Sequence, residues 1–114
     1  MKPTNLPLPT AKELQLLNIL WQKGPTTVRD IHEQIKLQQK TAYTTTLKMM
    51  QVMHQKGLVT KDSKPIAHIY TTTLSREQTQ TQLLDNLADH AFSGSITELI
   101  RLAKKSNNPN KSDP

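Results

Sequence analysis

The sequence predicts a mainly α-helical chain with one small β-hairpin, in the order three helices, hairpin, two helices. Three observations predict this order. Each of the three glycines, Gly24, Gly57 and Gly94, follows a stretch with helical apolar spacing, where a left-handed residue closes a helix at low cost. Helix starts are written out as well, by capping residues at Thr10, Thr27, Ser75 and Ser95. Two β-branched runs flank Asp62-Ser63-Lys64-Pro65, the pattern of two strands joined by a turn.

The elements follow in turn. Thr10-Ala-Lys-Glu13 is a capping box, and Leu14, Leu17, Leu20 and Trp21 continue it as an apolar stripe up to Gly24. Gly24-Pro25-Thr26 turns the chain, and Thr27 caps a second helix carrying Val28, Ile31 and Ile35. A third helix starts near Thr41 and runs to Gly57, and the hairpin occupies LVTKDSKPIAHIYTTT. Ser75-Arg-Glu-Gln78 is a second capping box, opening a helix with Leu83, Leu84, Leu87, Ala88 and Ala91 that ends near Gly94. Ser95-Ile-Thr-Glu98 opens the last helix, with Ile96, Leu99, Ile100 and Ala103. Three helices and a two-stranded hairpin make the winged helix-turn-helix layout, whose third helix enters the DNA major groove. The same layout also serves domains that bind only proteins, so a protein-interaction adaptor without sequence-specific DNA binding is the alternative.

Composition narrows the function. The 114 residues are enough for one small core, and at 34% apolar and 4% aromatic that core is aliphatic. With no cysteine, disulfide scaffolds, zinc ribbons, iron–sulfur ligation and thiol nucleophiles are excluded. No apolar run is long enough to cross a membrane, and the start lacks the apolar segment of a signal peptide, so a cytoplasmic protein is expected. Five of the seven prolines lie in the first nine or last six residues, which marks both ends as flanks.

Charge separates the two halves. Residues 1–74 hold ten Lys and Arg against four acids, whereas residues 75–114 hold five of each. The whole net charge of +6 therefore lies in the first half, and a basic half fits nucleic acid. Between Glu33 and Asp62 stand five lysines (Lys36, Lys40, Lys48, Lys56, Lys61) and no acid. On a wheel at 100° per residue, Ala42, Thr46, Met49, Met50 and Met53 gather on the side a core would take. Thr44, Lys48, Gln51 and Gln55 fall opposite, with Thr45, Leu47 and Val52 at the margins. Hydroxyls, amides and a lysine suit base edges and phosphates. Thr41, Tyr43, Thr44, Thr45 and Lys48 lie in the early turns, which reach deepest into a groove. The methionines read as core filler, not as a metal or cofactor site.

At these residues the sequence resembles the penicillinase-repressor family of winged-helix regulators (the BlaI/MecI/CopY group). The matching segments are ELQLLNILWQKGPTTVRDIHEQI, AYTTTLKMMQVMHQKGLV, AHIYTTTLSREQ and FSGSITELI, collinear over about residues 10 to 103. The resemblance implies a homodimeric repressor on an inverted-repeat DNA operator, with Thr44, Thr45 and Lys48 on the reading helix and Lys64 and His68 on the wing. It also implies a dimer interface of Leu83, Leu84, Leu87, Ala91, Phe92, Ile96, Leu99 and Ile100. The implied organisation is a flexible arm over 1–9, a winged-helix DNA-binding domain over 10–74, a helical dimerisation segment over 75–105 and a disordered tail over 106–114. Copper-responsive members carry cysteines near the C-terminus, and this chain has none, so copper sensing is not expected. Members controlled by a membrane sensor protease carry an Asn-Phe cleavage pair, aligned here with Arg101-Leu102. Longer members add a further C-terminal helix, which points to a smaller dimer interface here.

Nothing in the chain makes a catalytic constellation. Asp85 and Asp89 share a helix face next to His90 but lie opposite the leucine stripe with no sign of a cleft, and His32, His54, His68 and His90 are scattered. No glycine-rich phosphate loop exists. No enzyme activity, metal or cofactor is expected.

Overall fold

The computed structural model describes residues 6–62 and 66–106. It contains five helices, α1 (Ala11–Lys23), α2 (Val28–Ile35), α3 (Tyr43–Lys56), α4 (Arg76–Ala91) and α5 (Ile96–Ser106). Strands β1 (Val59–Lys61) and β2 (Tyr70–Thr72) lie between α3 and α4. The expected mainly α architecture with a hairpin wing is therefore present. The chain divides into two compact units, residues 1–79 and 80–114. Among the earlier expectations, Lys64, most of the flexible arm and nearly all of the tail lie outside the described residues.

The first unit is built from its caps inward. The α1 capping box closes in both directions: Glu13 N–H donates to Thr10 Oγ1 at 3.1 Å, and Thr10 N–H to Glu13 Oε1 at 2.9 Å. The helix buries Leu16, Leu17, Ile19 and Leu20, with Leu14 and Trp21 at the edge, a broader apolar face than the expected stripe. Thr27 Oγ1 accepts from Asp30 N–H, and α2 turns Val28, Ile31 and Ile35 inward. From α3, Met50 and Met53 join them with no exposed surface. Leu58, Val59 and Tyr70 complete the same cluster, so helices and wing share one core. Met53 fills space between elements as a flexible aliphatic side chain does.

Gly57 ends α3 in a left-handed conformation, φ +85°. Its N–H donates to His54 O at 3.1 Å, and Leu58 N–H reaches back to Met53 O at 2.9 Å, a Schellman closure. The left-handed conformation favours glycine here, and a Cβ would also lie 2.8 Å from Leu6 Cδ2, so that this side chain would have to shift. Leu6 packs at the core edge and Pro9 is buried, so the chain just before α1 belongs to the domain.

The wing is a short antiparallel ladder, Val59 opposite Thr72, Thr60 opposite Thr71 and Lys61 opposite Tyr70. Asp62 shapes its far end: Asp62 N–H donates to Ile69 O, and Asp62 Oδ1 accepts from Ile69 N–H at 3.0 Å. Thr26 adds a third line of pairing that local pattern did not announce. Its N–H donates to Tyr70 O at 3.1 Å and its carbonyl accepts from Tyr70 N–H at 2.8 Å. The turn before α2 is thus fastened to the wing. At the other end of the wing, Trp21 Nε1 donates to Leu74 O at 3.0 Å, and the Arg76 guanidinium lies 5.7 Å from the Trp21 ring centroid.

Ser75 and Gln78 form the second capping box, with both hydrogen bonds present. In the second unit, Ser93 and Gly94 take positive φ, and Gly94 N–H closes back on Ala88 O at 2.8 Å. Ser95 Oγ then caps α5 by accepting from Glu98 N–H at 3.1 Å.

Candidate nucleic-acid interface

Helix α3 has a buried side and an exposed side. Thr46, Met50 and Met53 are buried, while Thr44, Thr45, Lys48, Gln51 and Gln55 are all exposed. Leu47 and Val52 lie between the two faces, where the wheel places them; Met49 is only half-buried, Thr45 is exposed rather than marginal, and Ala42 is exposed at the N-cap. Tyr43 begins the helix with its ring partly open to solvent, and Thr41 is half-buried just before it. On the wing, His68 is exposed and its Nδ1 lies 3.0 Å from Asp62 O. Lys64 lies outside the described residues.

Three interactions set the pose of α3. The buried His32 ring of α2 places Nδ1 2.9 Å from Thr46 Oγ1, a hydrogen bond between the two helices of the helix-turn-helix. The same ring meets Tyr43 edge-on, centroids 5.5 Å apart. At the far end, Lys56 Nζ lies 2.7 Å from Glu13 Oε1, the oxygen that also accepts from Thr10 N–H. Glu13 is only 5% exposed and Lys56 half-buried, so this part-buried pair ties the start of α1 to the end of α3. The capping box identifies Glu13 as a helix-start residue, but nothing local announces its pairing with Lys56 or that of His32 with Thr46, because each partner comes from another element.

The ion pairs thin the basic run. Lys56 is committed to Glu13, and Lys36 lies 3.3 Å from Glu33. Lys40, Lys48 and Lys61 remain exposed, with no ion pair among the described residues. These three place positive charge on the turn before α3, on its outer face and on the wing, while Lys12, Lys23 and Arg29 are exposed on α1 and α2.

An open cleft of about 380 Å³ lies between the first turn of α2, the first turns of α3 and the wing. Its lining includes Arg29, Tyr43, Leu47, Ile66 and His68, of which the sequence reading had singled out only Tyr43 and His68. Arg29 had one available signal, its place two residues after the Thr27 cap. Tyr70 also borders the cleft; burial, reinforced by Tyr43, pushes its phenol above the usual value of 10.0.

In the second unit the residues assigned to a dimer interface are unequally placed. Leu84, Leu87, Ile96 and Ile100 are 40–48% exposed, Ala91 is exposed, and Leu83 and Phe92 are half-buried. Leu99 is already buried within the protomer. Leu102, exposed like the leucines of α4, was missed. The region of Asp85, Asp89 and His90 presents no metal-binding group, and His90 Nδ1 lies 2.8 Å from Asn86 O in its own helix. Among the described residues no cluster of three metal-ligating side chains occurs, and no helix is long and apolar enough to cross a membrane.

Comparison with known proteins converges on one family. The model of the penicillinase repressor family matches residues 9–113. The transcriptional regulator BlaI of two strains of Mycobacterium tuberculosis is 33% identical over 85 residues, 73% of this chain and 62% of the relative. The chain thus spans a little under two thirds of the length of these curated relatives. With a family match across nearly its whole length and the matching helix–hairpin order in its fold, the chain belongs to the penicillinase repressor family.

Proposed function

We propose that the protein is a transcriptional repressor that binds an inverted-repeat DNA operator as a homodimer, with α3 in the major groove. The observation that carries this is the division of α3 into a buried face and an outer face of Thr44, Thr45, Lys48 and Gln51. Threonine methyls meet thymine methyls, the glutamine amide can pair with adenine, and Lys48 serves a guanine edge or a phosphate. Tyr43 and Thr41 flank the entry of the helix, and His68 extends the surface onto the wing. The relatives named as transcriptional regulators support the same function.

Dimerisation is supported by the second unit. Leu84, Leu87, Ile96 and Ile100 expose apolar side chains on an amphipathic segment with no net charge, a surface that a second copy would cover. Two-fold symmetry then matches an inverted repeat whose half-sites lie about one helical turn, roughly 34 Å, apart or a multiple of it. Arg101 and Leu102 stand exposed on α5 in the place of the protease-cleaved pair. Release by a membrane sensor protease would have to use another bond of the exposed last helix, since the Asn-Phe pair is absent.

Fluorescence anisotropy tests the proposal. The protein is titrated onto the duplex upstream of its own coding region and onto a scrambled duplex, between about 50 and 200 mM salt, where phosphate-driven binding weakens steeply. Tight binding to the native duplex in two-protomer steps is expected. Equal, weak binding to every duplex would favour a protein-interaction adaptor.

A further inference from the structure

The cleft between α2, α3 and the wing has features that an ordinary solvated surface lacks. Its floor is apolar, from buried Val28 and Tyr70 and half-buried Leu47. Ile66 stands beside it 96% exposed, the most exposed of the large apolar side chains described. Arg29 of α2 also lines the cleft, exposed, and makes no ion pair among the described residues. The acids of its own helix are occupied elsewhere. Asp30 Oδ2 accepts from Thr26 Oγ1 at 3.4 Å, and Glu33 is paired with Lys36.

Tyr43 connects this cleft to the reading face, because it lines the one and opens the helix that carries the other. A duplex whose base edges meet Thr44 and Lys48 must lead one of its strands past Tyr43, and the cleft is the space on that side. Being open, the cleft suits a chain passing through it better than an enclosed small molecule. A sugar–phosphate strand matches its chemistry: phosphodiester oxygens for a guanidinium with a planar fork of donors, deoxyribose for an apolar wall.

We propose that this cleft seats one strand of the DNA backbone, with Arg29 gripping a phosphodiester and Ile66 packed against deoxyribose. The inference rests on the DNA-binding function proposed above and adds two anchoring residues to it. Arg29 fixes the register of the duplex on α3 without reading sequence. Ile66 contributes contact area without charge.

The test compares Arg29→Gln, Ile66→Ser and the control Lys23→Gln, an exposed cation at the end of α1 outside the cleft. Anisotropy on operator and scrambled duplexes is recorded against salt. Arg29→Gln is expected to weaken both duplexes roughly five- to tenfold at low salt and to flatten the salt slope by about one unit per protomer, leaving the operator preference unchanged. Ile66→Ser should weaken both with the slope intact, and Lys23→Gln should match the wild type. If the wild type binds the operator and Arg29→Gln retains its affinity and slope, the inference is wrong while the DNA-binding function stands. A loss confined to the operator would make Arg29 a base reader and would also overturn it. Failure of the wild type to bind any duplex would remove the DNA-binding function and the inference together.

Discussion

Replacing Thr46 by Val removes one hydroxyl from beneath the reading helix while nearly keeping the side-chain shape. In the wild type that hydroxyl lies 2.9 Å from His32 Nδ1, and both residues are buried, at 2% and 8% exposure. The substitution strands the imidazole nitrogen in an apolar site, a penalty of about 1–3 kcal/mol for an unsatisfied buried group. A unit of this size has a total stability on the order of 5 kcal/mol, so the loss is a large share of it. Urea unfolding followed by far-ultraviolet circular dichroism reads it directly. With a slope of about 1 kcal/mol per molar urea, the midpoint should fall by roughly 1 M or more. Adding His32→Leu to Thr46→Val should restore part of the loss, because an apolar pair leaves nothing unsatisfied. A Thr46→Val midpoint within about 0.3 M of wild type, equivalent to under about 0.5 kcal/mol, would refute the bond as a determinant of how α3 sits on α2.

Other perturbations report on separate parts of the molecule. Glu13→Gln leaves Lys56 without its carboxylate in a mostly buried place and should cost about 1–3 kcal/mol in urea unfolding, most of it recovered in Glu13→Gln/Lys56→Met. The Tyr70 phenol is raised by burial and then by Tyr43, so its neutral form stabilises the fold. That contribution is complete below the unfolded value near 10 and is lost as pH rises through the higher folded value; absorbance at alkaline pH should show one tyrosine ionising late, together with unfolding. If the proposed dimer forms through α4, Leu84→Asp combined with Leu87→Asp should lower the sedimentation coefficient from dimer to monomer while leaving the first unit folded; an unchanged dimeric coefficient would place the contact elsewhere, and a monomeric wild type would remove the proposed dimer.

Much of the fold was legible locally because its boundaries are written in short-range chemistry. Thr10, Thr27, Ser75 and Ser95 each cap a helix through a side-chain bond three residues ahead, and Gly24, Gly57 and Gly94 each take positive φ where a helix closes. The outer face of α3 was legible too, since a 100° wheel needs only one buried side to define the other. The missing parts are those made by chain segments far apart. Thr26 pairs with Tyr70, and Glu13 with Lys56, across 44 and 43 residues, and no periodicity announces such meetings. Lys56 stands in the sequence as one of five lysines in an acid-free stretch, and only the fold brings Glu13 to it. His32 stands as one of four scattered histidines, and the packing of α2 on α3 buries it and gives it a partner. The hairpin also pairs over only three residues per strand, because Asp62 begins the turn at once with its two bonds to Ile69. Arg29 resembled any solvated cation; its setting becomes visible only when the wing closes over the first turn of α2.

The central claim is that the exposed threonines of α3 read DNA sequence. Thr44→Ala and Thr45→Ala remove exposed hydroxyls and methyls without disturbing the core face. The decisive measurement is the ratio of operator to scrambled-duplex affinity for each variant, by anisotropy at one fixed salt concentration. The account predicts a fall of about 1–3 kcal/mol in that preference, roughly five- to 150-fold, with scrambled-duplex binding little changed. An unaltered ratio in both variants would contradict it.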